Sequence, residues 1–150
     1  MGDIAWTTSL CSGDEAAFAM LATRIAPRLH AIAYRILRDV ALAEDAAQQA
    51  LLRSWQDLRQ LRDPARFDAW SYRILVRICH AQAKRARARL PEVPFGDVDI
   101  SSPTDDDSSV VDRDALERSF LRLPVEQRTV VVLHHYLGTP ARCSPRVFAF

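Results

Sequence analysis

The densest chemistry in the chain lies in "RFDAWSYRILVRICHAQAKRARAR", residues 66–89. At about 100° per residue, the turn of an α-helix, Arg73, Arg77, His80 and Lys84 all fall within roughly 40° of Arg66. Trp70 sits at the edge of that stripe and Tyr72 lies off it. A row of cations beside an indole suits a nucleic-acid strand. Arginines meet phosphates through paired donors and long-range attraction, and a flat ring offers a stacking surface to an unpaired base. The same pattern also fits a solvated helix whose arginine stems cover a core that includes Trp70. The helix alone does not choose between the two.

Other chemistry is thin. Cys11, Cys79 and Cys143 are odd in number and widely spaced, with no CxxC pair. Neighbouring side chains on a helix diverge, so Cys79 with His80, and His134 with His135, make poor chelates. No metal site is expected. There is no glycine-rich phosphate loop and no nucleophile–base set, so neither a cofactor nor an enzyme is expected. Without a signal-peptide pattern or a run of 18 apolar residues, the expectation is a cytoplasmic protein with no membrane insertion.

The elements that must position residues 66–89 are helical. Glycine is sparse and Ala, Leu and Arg abound over the 150 residues, which favours helix over sheet. Phe18, Leu21, Ile25, Leu29, Ile32 and Ile36 recur at three- and four-residue steps, one buried helix stripe. Pro27 falls inside it and is expected to kink or split that helix, since it lacks an N–H and crowds the preceding turn. Asp39 suits the N-cap of a second helix, "ALAEDAAQQALLRSWQDLRQL". There Ala47, Leu51, Trp55, Leu58 and Leu61 can face a core, leaving Asp45, Gln48, Gln49, Leu52 and Gln56 on another face. "RDPAR" ends it. A third helix is expected over about Phe67 to Arg89, with Phe67, Ile74, Ile78 and Ala81 inward.

The net charge of +1 conceals segregation. Arg66 to Arg89 holds seven basic residues and one acid, while Glu92 to Glu117 holds nine acids and one arginine. Residues 90–111 shift in composition to Pro, Ser and Asp, with one Gly, and read as a flexible acidic linker. Helical pattern resumes with Leu116, Phe120 and Leu123. Pro124 suits the first turn of a last helix carrying Val130, Val131, Leu133 and Leu137, which Gly138 would cap.

"GDEAAFAMLATRIAPRLHAIAYRILRD", "AEDAAQQALLRSW" and "RFDAWSYRILVRICHAQAKRAR", in that order, resemble region 2 of bacterial RNA polymerase sigma factors of the extracytoplasmic-function group. "ALERSFLRLPVEQRTVVVLHHYLG" is similar to the first part of region 4. The resemblance implies an all-α fold: a leader at 1–13, a three- to four-helix region 2 bundle at 14–89, the linker at 90–111, an incomplete region 4 at 112–138 and an irregular tail at 139–150. It implies docking on core RNA polymerase through Asp45, Gln48, Gln49, Leu52 and Trp55. Asp45, Gln49 and Leu52 share a helix face. The family's usual pattern of aspartate, two apolar residues, glutamine and glutamate is altered here: Ala46 and Ala47 follow the aspartate, and Gln49 stands where a glutamate is expected. The third helix, with the "QLRDPAR" loop, would recognise and open the promoter minus-ten element. Arg66, Trp70, Arg73, Arg77, His80, Lys84 and Arg85 are the candidates for DNA contact.

The implied function is a sigma factor that directs core polymerase to promoter DNA, with an anti-sigma protein as a further partner. The alternative is an inactive or regulatory fragment that binds polymerase or an anti-sigma protein without initiating transcription. A minus-thirty-five-reading helix-turn-helix would need roughly 25–30 residues beyond Gly138, and only twelve follow. Its absence is therefore expected, whether from a frameshifted gene or because a short tail evolved for its own use.

Overall fold

The computed structural model describes residues 14–89 and 109–138, and all regular structure among them is helical. Helix α1 spans Glu15–Leu37. Asp14 caps it by accepting from the Ala16 N–H at 3.0 Å, and Leu21, Ile25, Leu29, Ile32 and Ile36 form its buried stripe. Pro27 does not split the helix. The proline is exposed, and the Thr23 carbonyl that loses its donor lies on the same wet side. Buried Ile25 and Leu29, on either side of Pro27, hold the rod together from within. The helix ends at Arg38, whose φ of 57° is left-handed and whose N–H reaches the Tyr34 carbonyl at 2.8 Å.

Asp39 then caps helix α2, Val40–Gln56, by accepting from the Leu42 N–H at 2.8 Å. The seam that α2 buries is made of small residues: Ala43, Ala46, Ala47, Ala50 and Ser54. Ser54 satisfies its hydroxyl on the Ala50 carbonyl at 2.7 Å. Small side chains let neighbouring helices approach closely, so the larger expected core residues are displaced to the seam's edges. Leu51, Trp55 and Leu61 are half-buried, and Leu58 is buried. The helix also stops earlier than its pattern suggests. Two 3₁₀ turns, Leu58–Gln60 and Pro64–Arg66, carry the chain across to the third helix. The second is capped by Asp63 on the Ala65 N–H at 3.1 Å.

Helix α3 spans Phe67–Arg89. Its buried side is Phe67, Ser71, Tyr72, Leu75, Val76, Cys79 and Gln82. The expected inward set needs correction: Ile74 and Ile78 are half-buried and Ala81 is exposed. By the 3.6-residue period, Ile74 and Ile78 are turned roughly 90° from the middle of the buried side, toward α2 rather than α1.

Helices α4, Ser109–Arg122, and α5, Val125–Leu137, form a hairpin. Pro124 sits one place before the first turn of α5, and Gly138 caps the end at a φ of 63°. The hairpin folds back, packing α5 on α1 and α3. Thr129, Val132 and Leu133 are buried there, Val130 and Leu137 are half-buried, and Val131 stays exposed. Arg128 donates to the Ile36 carbonyl at 2.8 Å, at the C-terminal end of α1, and to the Leu123 carbonyl at 3.1 Å. Arg38 pairs with Glu117, and the Arg35 guanidinium lies 4.3 Å from the Tyr136 ring centre. The leader, nearly all of the acidic linker and the tail lie outside the described residues.

Candidate nucleic-acid and protein interfaces

On the outer side of α3, Arg73, Arg77 and Lys84 are exposed. They lie within about 40° of one another and opposite the buried side. The apolar stripe packs on α1 and thereby turns these cations to solvent. Arg66 belongs to the preceding 3₁₀ turn rather than to α3, and its Nε pairs with Asp63 at 3.3 Å. Lys84 and Arg85 are both exposed, but Arg85 points about 100° further round. Trp70 is half-buried, with its ring 5.9 Å from that of Phe67 and tilted 55°. Its indole therefore edges the cationic row while resting on the core.

His80 differs from the other candidates. It is half-buried, and its Nε2 lies 2.9 Å from the Thr129 hydroxyl of α5. Burial lowers its pKa below the usual 6.5, and the Glu126 carboxylate opposes that shift. The hairpin thus covers the flank of the row on which His80 stands. Cys79, beside it, is buried, and desolvation pushes its thiol up to about 12. A buried thiol held protonated in this way is a poor ligand or nucleophile at neutral pH.

The outer face of α2 brings together Asp45, Gln48, Gln49 and Leu52, all exposed. Leu52 is 59% exposed, an apolar knob among polar groups. Trp55 is set apart from them: its ring lies 4.7 Å from that of Phe18 of α1. A shallow groove runs between this face and α3, lined by Gln49, Leu52, Arg53, Gln56, Ile74 and Arg77 among others. The groove joins the two surfaces, since Gln49 and Leu52 stand on one wall and Arg77 on the other.

At Asp45 one carboxylate oxygen, Oδ2, accepts from Gln49 Nε2 at 2.7 Å and from Gln82 Nε2 at 2.6 Å. Gln49 is one turn along α2; Gln82 reaches across from α3. A glutamate at position 49 could not donate this bond.

Residues 21–89 match the family model for sigma-70 region 2. The chain is 36% identical over 122 residues to the ECF RNA polymerase sigma factor SigM of Mycobacterium tuberculosis, covering 81% of this chain and 60% of that protein. The chain thus carries a stretch similar to sigma-70 region 2 and is similar over most of its length to extracytoplasmic-function sigma factors. It is also 26% identical over 139 residues to the ECF sigma factor SigW of Bacillus subtilis, covering 82% of this chain and 72% of that protein. A probable sigma factor of Xanthomonas campestris, RfaY, is 31% identical over 134 residues, covering 85% and 34%. The chain spans less than two thirds of the length of the mycobacterial relative. Its region 2 match contains α2, α3 and the groove between them.

Gln82 and Arg53 are absent from the residues that the sequence singles out. Arg53 lies one position after Leu52 and becomes visible only once α3 supplies the opposite wall. Gln82 had a readable signal: it continues the Leu75–Cys79 stripe at a three-residue step, and a polar residue on a buried stripe needs a partner.

Proposed function

We propose that the chain acts in transcription initiation, docking on core RNA polymerase through the outer face of α2 and holding the melted minus-ten strand of promoter DNA on the outer face of α3. The observation that carries the reading is the solvent-facing row of Arg73, Arg77 and Lys84, headed by Arg66 and edged by Trp70, in a chain similar to this family. The row supplies phosphate contacts. Trp70, half-buried beside Phe67, offers its exposed part to an unstacked base. Such stacking contributes about 1–3 kcal/mol per base, comparable with the few kcal/mol that unstacking a base costs. Asp45, Gln48, Gln49 and Leu52 supply acceptors, amides and one apolar knob to a basic helical partner on polymerase. Docking there places the work in the cytoplasm. The α3 face opens DNA by binding its melted form, so no bond-making chemistry is assigned to the chain.

A second reading is favoured by the His80–Thr129 contact, which leaves one flank of the row covered. In it the chain binds polymerase or an anti-sigma protein without opening promoters. Pull-down of core polymerase with the full chain, with and without Asp45→Arg, tests docking. Loss of recovery with the variant supports the assignment, and equal recovery removes it. Transcription from a matched promoter then separates the two readings, since docking without transcripts favours the second.

A further inference from the structure

Gln82 is the one residue on the buried side of α3 whose hydrogen bond reaches a candidate docking side chain. It is 7% exposed, yet it spends its amide N–H on Asp45, an exposed residue of α2. The other end of the amide, Oε1, is buried with no partner among the described residues. Turning the amide over would aim its oxygen at a carboxylate oxygen, so the orientation is fixed by repulsion as well as by the bond. A buried amide with one end unsatisfied does not serve stability well; an apolar side chain of similar size would avoid that penalty.

The geometry points to Gln82 as a positioning residue for the Asp45 carboxylate, acting from the DNA-facing helix on the polymerase-facing one. This rests on the docking reading of Asp45. Gln82 and Gln49 both donate to Oδ2, at 2.6 and 2.7 Å. Such contacts to an ionised acceptor are short and strong. They lock the carboxylate plane before any partner arrives and leave Oδ1 for a guanidinium or ammonium group. An aspartate held this way loses less freedom on binding than a mobile one. Gln49 restrains Asp45 only within its own helix, whereas Gln82 ties it to α3. The partner that fits is a cationic side chain presented by a protein surface.

The test uses the full chain with core RNA polymerase and measures affinity for wild type, Asp45→Ala, Gln82→Met and the double variant. Asp45→Ala is expected to weaken binding. Gln82→Met is expected to weaken it about tenfold, as fits loss of one bond to a charged group, and by less than about twofold once Asp45 is already alanine. Its thermal midpoint should be equal to or above wild type. Its affinity for a single-stranded DNA oligonucleotide should be unchanged, because the outer face of α3 is untouched. Gln82→Glu, which keeps the size but sets a carboxylate against Asp45, should weaken polymerase binding at least as much.

Outcomes separate cleanly. If Asp45→Ala leaves polymerase affinity unchanged, the docking assignment falls and this inference falls with it. If Asp45→Ala weakens binding but Gln82→Met stays within twofold of wild type, only the positioning role is lost. An equal effect of Gln82→Met in both Asp45 backgrounds, or a parallel loss of DNA affinity, marks a general loosening of α3 and also overturns it.

Discussion

Helices α1–α3 close around Leu29, Ile32, Ile36, Phe67 and Leu75, with the alanine seam of α2 between them, and few polar groups enter that core. The α4–α5 hairpin is attached to the same bundle on other terms. It buries Val132 and Leu133, with Phe120, Val125 and Leu137 partly buried beside them, and it adds contacts of Arg128 to backbone carbonyls, Arg38 to Glu117, Arg35 to Tyr136, and His80 to Thr129. Apolar packing has no charge to screen or titrate, whereas arginine contacts are screened by salt and histidine contacts titrate. The bundle that carries both candidate interfaces should therefore hold firm under conditions that loosen the hairpin across their flank.

The comparison is broken most forcefully in the bundle. Leu29→Ala, at a fully buried site, should cost about 2–5 kcal/mol and lower the cooperative transition of α1–α3, read by urea unfolding. Arg128→Ala should act on the hairpin instead. It strands the Ile36 and Leu123 carbonyls, an effect of about 1–3 kcal/mol on hairpin docking. Hydrogen exchange should rise through α5 while α1–α3 keep their protection. Equal loss across the molecule would show that hairpin and bundle form one cooperative unit.

Two smaller effects sharpen the contrast. Burial holds the His80 pKa below 6.5 in the docked state, so an undocked chain binds more protons at His80. The contribution of His80 to docking is thus complete above pH 6.5 and is lost as pH falls through the lower, docked value. Protection of α5, corrected for the intrinsic exchange rate at each pH, should fall on acidification from pH 7.5 to 5.5, and His80→Asn should flatten that fall. A profile that keeps its slope without His80 would assign the pH dependence to other groups. Glu117→Gln should change docking by less than about 1 kcal/mol, because the carboxylate is half exposed and screened. Its effect should vanish in high salt.

Much of this architecture was legible in the sequence. The Leu21–Ile36 stripe, the Asp39 cap and the Gly138 cap follow from residue type and spacing, and each is present in the fold. The face holding Asp45, Gln49 and Leu52 was readable because polar and apolar residues alternate there at helical spacing. Three things were hidden, each for a physical reason. Alanine carries little apolar contrast, so the α2 seam was masked by the larger Leu51 and Trp55. The covering of His80 depends on Thr129, 49 positions away, and no local pattern encodes a helix folding back. The Gln82–Asp45 bond likewise joins two helices whose relative rotation is set by the whole core. Pro27 left a kink and a split both open, and packing on both sides of it keeps one continuous helix.

The most direct test of the central claim is the salt dependence of affinity for a single-stranded DNA oligonucleotide, with wild type and the Arg73→Ala/Arg77→Ala pair. Four cations on phosphates predict a slope of log K against log salt of roughly −3 for wild type, falling to about −1.5 for the pair. A wild-type slope near zero, or a slope that the two substitutions leave unchanged, would contradict the assignment of this face to a nucleic-acid strand.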